Sequence, residues 1–309
     1  MFVIRCSLLE KKLIIIIGPT GVGKTNLSIE LALHFKTEII SADSRQIYKE
    51  LHIGTAKPSE KECSTVPHHF INSHSINDLF NVGKYEQECI YLLTKLFQNH
   101  NSLILVGGTG LYIDAICNGI DVLPETDIKI RNELENLFAQ QGIKALQEKL
   151  KEVDIEYYKI VDLNNRHRLI RALEVSLVSG KPYSSFRKKN IAHRTFTPIK
   201  IGLNINREAL YDRINKRVDG MIKQGLVEEA KNLFPYKHLN AMQTVGYQEL
   251  FDHFEGKITL EQAIELIKQN SRRYAKRQLT WFKRDKKITW FEPNEKEKII
   301  DFIKLEMER

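Results

Sequence analysis

The sequence predicts an α/β fold in which a parallel sheet is covered by helices on both faces and interrupted by a helical insertion. Three observations carry this. Charge-free runs of four or five residues alternate with helical patterns, and the glycine-rich and polar sequences begin where those runs stop. From Thr126 to about Gly180 the pattern is helical and charged, with no convincing strand. Short β-branched runs without polar alternation are the pattern of strands buried on both faces, as in a parallel sheet between two helix layers.

Residues 13–17 (LIIII) form the first run, which ends at Gly18-Pro19-Thr20-Gly21-Val22-Gly23-Lys24-Thr25, a G-x-x-x-x-G-K-T loop. Leu27, Leu31 and Phe35 follow at helical spacing, predicting a helix over 24–35. Residues 38–41 read as a second strand. A helix over 85–97 then leads to a strand at 103–106, the sequence Gly107-Gly108-Thr109-Gly110 and another helix. The chain returns from the insertion with a strand at 198–203. Helices are expected at 207–224, 227–234, 245–254 and 260–282, before a short strand at 288–291. The expected division is a core of residues 1–122 and 190–309 and a helical insertion of 123–189. Because the first strand leads into the loop, the core is of the P-loop NTPase-like kind, with ligands at the carboxyl ends of its strands.

At 309 residues the chain can hold roughly two domains, and 42% apolar with 28% charged residues excludes a disordered chain. The formal charge of +8 is concentrated in a stretch from Arg166 to Arg194 and in a second that holds Lys268, Arg272, Arg273, Lys276, Arg277, Lys283, Arg284, Lys286 and Lys287. Such clustering is the electrostatic footprint of a nucleic-acid partner, although solvated helix faces also carry such runs. Cys6, Cys63, Cys89 and Cys117 are scattered and make no C-x-x-C pair, so a reducing cytosol is expected. No apolar run approaches the roughly 18 residues of a membrane span.

The loop turns a row of backbone N–H groups and the Lys24 ammonium toward one point at a helix N-terminus, the arrangement that binds polyphosphate. By itself it suits a kinase, a motor or any enzyme of diphosphates. A motor carries a Mg²⁺-coordinating acid at the end of a core strand. Here Val106 is followed by glycines and Thr109, which argues against ATP hydrolysis as the purpose. The acid nearest the loop in this topology is Asp43, in Ser41-Ala42-Asp43-Ser44-Arg45-Gln46-Ile47-Tyr48, placed to take a proton or hold Mg²⁺ through water. An Asx turn accounts for the same residue. Ser44, Arg45 and Gln46 offer donors and acceptors suited to a base. Pro67-His68-His69-Phe70 reads as packing and hydrogen bonding, because adjacent side chains on an extended chain point to opposite faces. Trp281, Trp290, Phe282 and Phe291 read as core. On the helix over 260–282, Lys276 and Arg277 form a basic face while Leu279 and Phe282 anchor it, and Arg168 and Arg171 share another helical face.

Taken in order, GPTGVGKT (18–25), DSRQIY (43–48), IGTAKP (53–58), PHHF (67–70), VGGTGLY (106–112), RLIRALEV (168–175), VGY (245–247) and KRQLTWFKR (276–284) resemble the bacterial tRNA dimethylallyltransferases, also called tRNA isopentenyltransferases. The resemblance implies transfer of a dimethylallyl group from dimethylallyl diphosphate to N6 of the adenine 3′ of the anticodon. It gives the diphosphate to Gly18 and to Thr20, Gly21, Val22, Gly23, Lys24 and Thr25, with Thr25 helping to hold Mg²⁺. It makes Asp43 the base, Lys24 and Arg217 the groups facing the leaving diphosphate, and Thr109 a neighbour of the target nucleotide. It assigns tRNA contact to Asp43, Ser44, Arg45, Gln46, Thr109, Arg131, His167, Arg168, Arg171, Gln243, Gly246, Tyr247, Gln248, Lys276, Arg277, Gln278, Trp281 and Lys283, the insertion clasping the anticodon stem-loop. The family often has Gln where His167 stands and Arg where Gln248 stands, and this chain lacks the cysteine-histidine finger of eukaryotic relatives. The chain is expected to act as a cytoplasmic monomer with no membrane partner. Prenylation of a free adenine nucleotide and a small-molecule kinase are the competing activities.

Overall fold

Five consecutive apolar residues, Leu13 to Ile17, can be shielded from water only if both faces of their strand are covered. The computed structural model, which describes residues 10–125, 127–187 and 192–309, buries all five. They lie in β1 (Lys12–Ile17), which pairs in parallel with β4 (Ser102–Gly107) on one side and β5 (Thr197–Leu203) on the other. With β2 (Ile39–Ser41), β3 (His68–His69) and β6 (Thr289–Phe291) the sheet runs β3-β2-β4-β1-β5-β6, all parallel.

Side chains alternate across a strand, and the two cores divide accordingly. Leu13, Ile15 and Ile17 join one with Leu103, Leu105, Tyr85 and Tyr112; Ile14 and Ile16 join the other with Ile104, Leu27, Leu31 and Ile201. The helices are α1 (Lys24–Phe35), α2 (Glu60–Thr65), α3 (Val82–Leu96), α4 (Gly110–Asn118), α5 (Ile128–Val153), α6 (Ile155–Tyr158), α7 (Arg166–Ser179), α8 (Arg207–Lys223), α9 (Leu226–Leu233), α10 (Tyr247–Phe254), α11 (Leu260–Phe282) and α12 (Lys296–Glu308). Ile299, Ile300 and Ile303 of α12 complete the second core.

The chain divides into two compact units, Asn118–His193 and the sheet unit formed by the chain on either side of it. In the first, α5 and α7 enclose a core of Leu134, Leu146, Leu150, Leu169, Ile170 and Leu173. Gly142, with φ 75° and ψ −171°, kinks α5 in a backbone shape that glycine takes without strain. Thr126 and residues 188–191, the latter holding the expected far boundary of the insertion at 189, lie outside the described residues. Sequence patterning missed β3, α2 and α12: β3 is two residues long and α2 six, too short to show periodicity.

Candidate active site

The carboxyl ends of β1, β2 and β4 open into a cavity of about 730 Å³, a volume within the range of small-molecule sites. Its first wall is the glycine-lysine loop. Gly21 and Gly23 have φ of 80° and 109°, and a Cβ on Gly18 would lie 2.6 Å from the Leu203 carbonyl oxygen, so larger residues cannot take this path. Lys24 Nζ donates to the carbonyls of Gly18 and Pro19, both at 2.9 Å. Arg217, on α8, donates to Thr20 Oγ1 at 3.3 Å, and Arg213 donates to the Val22 carbonyl at 3.3 Å.

Burial first, then the positive charge of Arg217, pushes the Lys24 pKa down to about 7, while Asp43 pulls it up. Arg217 is likewise lowered by burial and supported by Asp43. Both cations are half-buried, and their hydrogen bonds among the described residues go to neutral oxygens. Partly desolvated positive charge in that state favours an incoming anion.

Asp43 forms the opposite wall. Its Oδ1 accepts from the Arg45 and Gln46 amides at 2.9 and 3.4 Å, the Asx turn foreseen from its position, and among the described residues Oδ2 accepts no hydrogen bond. The turn is braced from β4. Thr109 N–H donates to the Ala42 carbonyl at 3.2 Å, and Thr109 Oγ1 accepts from the Ser44 amide at 3.0 Å. A Cβ on Gly107 would collide with that same Ala42 carbonyl, which is why glycine stands there. Tyr274 borders the cleft, and burial pushes its pKa up to about 12.

Of the residues expected at the site, Thr20, Gly21, Gly23, Lys24, Thr25, Asp43, Ser44, Arg45, Gln46, Arg217, Gln243, Gly246, Gln248, Arg277 and Gln278 line this one cavity. Several of the expected residues also have partners that their motifs do not suggest. Gly18 and Val22 shape the loop from behind, and the Thr20 amide is taken by Gln278 Oε1 at 2.8 Å. Thr109 sits behind the Asp43 turn as a brace. Gln46 donates its side-chain amide to the Thr55 and Ala56 carbonyls, both at 3.2 Å, holding the 53–58 segment. Arg45 reaches the carbonyls of Asn240 and Gln243, and Gln248 donates to the Gln243 side chain at 2.6 Å.

Tyr247 is fully buried and donates to Glu229 at 2.6 Å, so its side chain cannot meet RNA. Trp281 packs over Gly110 and donates to Asp114 at 3.0 Å. Lys276 and Lys283 are exposed on and beside α11, outside the cavity lining. In the other unit His167 and Arg168 are exposed in the first turn of α7. Arg171 instead turns to the fully buried Glu174 at 2.9 Å, with Arg131 3.9 Å from the same carboxylate. His69 bonds Glu38, whereas His68 bonds the Val66 carbonyl through Nδ1, lines the cavity and has no partner for Nε2 among the described residues; among those residues no group of three or more His, Cys, Asp or Glu could hold a metal. No described helix is long and apolar enough to cross a membrane.

Sequence reading missed Tyr274, Arg213 and Glu229. Tyr274 lies four residues before Gln278, on the same helical face, which was a usable signal. Glu229 had none: it accepts from the amides of Ile53 and Gly54 at 2.8 and 3.0 Å, partners about 175 positions away.

The family model described as IPP transferase matches residues 46–285. The tRNA dimethylallyltransferase of Christiangramia forsetii is 54% identical over 94% of this chain and 97% of its own, and that of Flavobacterium johnsoniae is 50% identical over 95% and 97%. Among solved structures, the full-length tRNA isopentenylpyrophosphate transferase from Bacillus halodurans superposes with a TM-score of 0.71 at 38% identity, covering 97% of each chain. A eukaryotic dimethylallyltransferase acting on tRNA superposes with a TM-score of 0.74 at 29% identity, over 88% of this chain and 69% of that one. On this likeness, which runs along nearly its whole length, the chain belongs to the IPP transferase family, the tRNA dimethylallyltransferases.

Proposed function

We propose that this chain transfers the dimethylallyl group of dimethylallyl diphosphate to N6 of the adenosine 3′-adjacent to the anticodon in tRNA, giving N6-(dimethylallyl)adenosine and diphosphate. The observation that carries the reading is the meeting of Lys24 and Arg217, half-buried and, among the described residues, hydrogen-bonded to neutral oxygens, with Asp43 in one cleft. An adenine amine is a poor nucleophile because its lone pair is delocalised into the ring. As the N6–carbon bond forms and the carbon–oxygen bond to diphosphate breaks, Asp43 Oδ2 takes the N6 proton and the electron pair leaves with the diphosphate. Positioned base catalysis of this kind contributes about 10²–10⁴-fold. Lys24 and Arg217 hold the charge that develops on the leaving oxygens, preorganised donors aimed at charge as it forms. An allylic carbon bears positive charge readily, so bond breaking can run ahead of bond making.

Thr25 and Asp43, both hard oxygen donors on the cleft, suit a Mg²⁺ held mainly through substrate phosphates and water, as Mg²⁺ usually is. When bound it would neutralise diphosphate charge. The target base must leave its stack to reach such a cleft, at a cost of a few kcal/mol. Arg277 on the cleft and the exposed Lys276, Lys283 and Arg168 supply charge for the RNA backbone, and the exposed His167 a ring N–H. Incubation with labelled dimethylallyl diphosphate and either tRNA or AMP tests the proposal: label should enter tRNA alone, and labelling of AMP would redirect the activity to free nucleotides.

A further inference from the structure

Gln278 looks like part of an RNA-facing motif, yet it is only 6% exposed and both ends of its amide are in use. Oε1 accepts from the Thr20 amide at 2.8 Å, and Nε2 donates to the Gly108 carbonyl at 2.9 Å. Thr20 belongs to the loop at the end of β1, and Gly108 to the loop at the end of β4. A side chain on Gly108 would displace the Gln278 amide nitrogen, which would lie 2.2 Å from its Cβ. The helix that supplies Gln278 also supplies Tyr274 and Arg277 to the cleft.

We propose that Gln278 is a positioning residue that fixes the spacing between the donor loop and the acceptor-side loop and ties both to the basic helix α11. The inference rests on the function proposed above. Its chemistry is restrictive: a backbone N–H only donates and a carbonyl only accepts, so the side chain between them must offer one acceptor and one donor. Thr20 in turn receives Arg217 on its hydroxyl, so loosening the amide bridge also loosens a cation aimed at the diphosphate. Glutamate has the same shape, but as a carboxylate it sets a second oxygen against the Gly108 carbonyl. Leucine fills much the same space and bonds neither partner.

Steady-state kinetics of wild type, Gln278→Leu and Gln278→Glu with dimethylallyl diphosphate and tRNA, together with tRNA affinity and thermal unfolding, test this. Gln278→Leu should lower kcat by about 10- to 100-fold, the loss expected from a displacement near 1 Å, with tRNA Kd within about twofold of wild type. Gln278→Glu should be equally impaired at about pH 8.5 and recover relative to wild type toward about pH 6, as the buried carboxyl protonates and its O–H replaces the amide donor. A kcat within about twofold of wild type in the leucine variant, or a loss of tRNA affinity with kcat intact, would overturn the inference. So would a pH profile of the glutamate variant parallel to wild type, which decides the matter alone should the leucine variant not fold. Absence of transfer by the wild-type protein would instead overturn the proposed function.

Discussion

Lys24 offers a prediction with a number attached. Its pKa of about 7 means that about 90% of the chains hold it neutral at pH 8 and about 10% at pH 6. A diphosphate settling beside it favours the ammonium and returns the pKa toward its ordinary 10.5. Binding should therefore take up about 0.9 proton at pH 8 and about 0.1 at pH 6, and affinity should weaken up to tenfold per pH unit above about 7. Titration calorimetry of dimethylallyl diphosphate in two buffers of different ionisation enthalpy measures the uptake. The protein is first saturated with an anticodon stem-loop carrying purine in place of the target adenine, so that no transfer follows. Lys24→Met keeps the chain length without the ammonium and should remove the pH 8 uptake. Uptake near zero in the wild type, or the same uptake in Lys24→Met, would refute the reasoning. The shift also acts on stability without ligand. The folded pKa lies below the unfolded one, so the unfolded chain binds more protons between about pH 7 and 10.5, and stability contributed by this group rises with pH across that window.

Asp43→Ala should cut transfer by about 10²–10⁴-fold while tRNA affinity stays near wild type; turnover at the normal rate would remove Asp43 from the chemistry. Lys276→Ala combined with Arg277→Ala should weaken tRNA binding and reduce the slope of log affinity against log salt by roughly 1.4–1.8, and an unchanged slope would return these residues to a solvated helix face. Glu229→Ala strands the amides of Ile53 and Gly54 and the Tyr247 hydroxyl, and should lower unfolding free energy by about 2–4 kcal/mol in a urea titration. A change below about 0.5 kcal/mol would mean that water replaces the carboxylate there.

The core strands were legible because burial on both faces leaves an unmistakable mark: β1 is buried along its whole length and β4 at all but one residue, and the loops at their ends carry the polar residues. The long helices announced themselves by spacing. What the sequence left unread was which polar atom of a motif faces the cleft and which one holds the motif in place. Gln46, Thr109 and Gln278 have side chains suited to a substrate, yet each satisfies a backbone group on a neighbouring loop. Burying those loops creates donors and acceptors that must be paired, and the pairing depends on contacts between segments far apart in the chain. Tyr247 and Glu229 belong to the same class: Gly54 is glycine because a Cβ there would lie 2.6 Å from the Tyr247 ring, a fact visible only once the two segments meet.

The central claim is that Lys24, Arg217 and Asp43 form a prenyl-diphosphate site and not a nucleotide triphosphatase. It is tested most directly by giving the purified protein tRNA with isotopically labelled dimethylallyl diphosphate in one reaction and γ-labelled ATP in another, then digesting the tRNA to nucleosides for mass spectrometry. The account predicts a five-carbon label on N6 of one adenosine beside the anticodon, and no release of phosphate from ATP. Consumption of ATP with the adenosine left unmodified would contradict it.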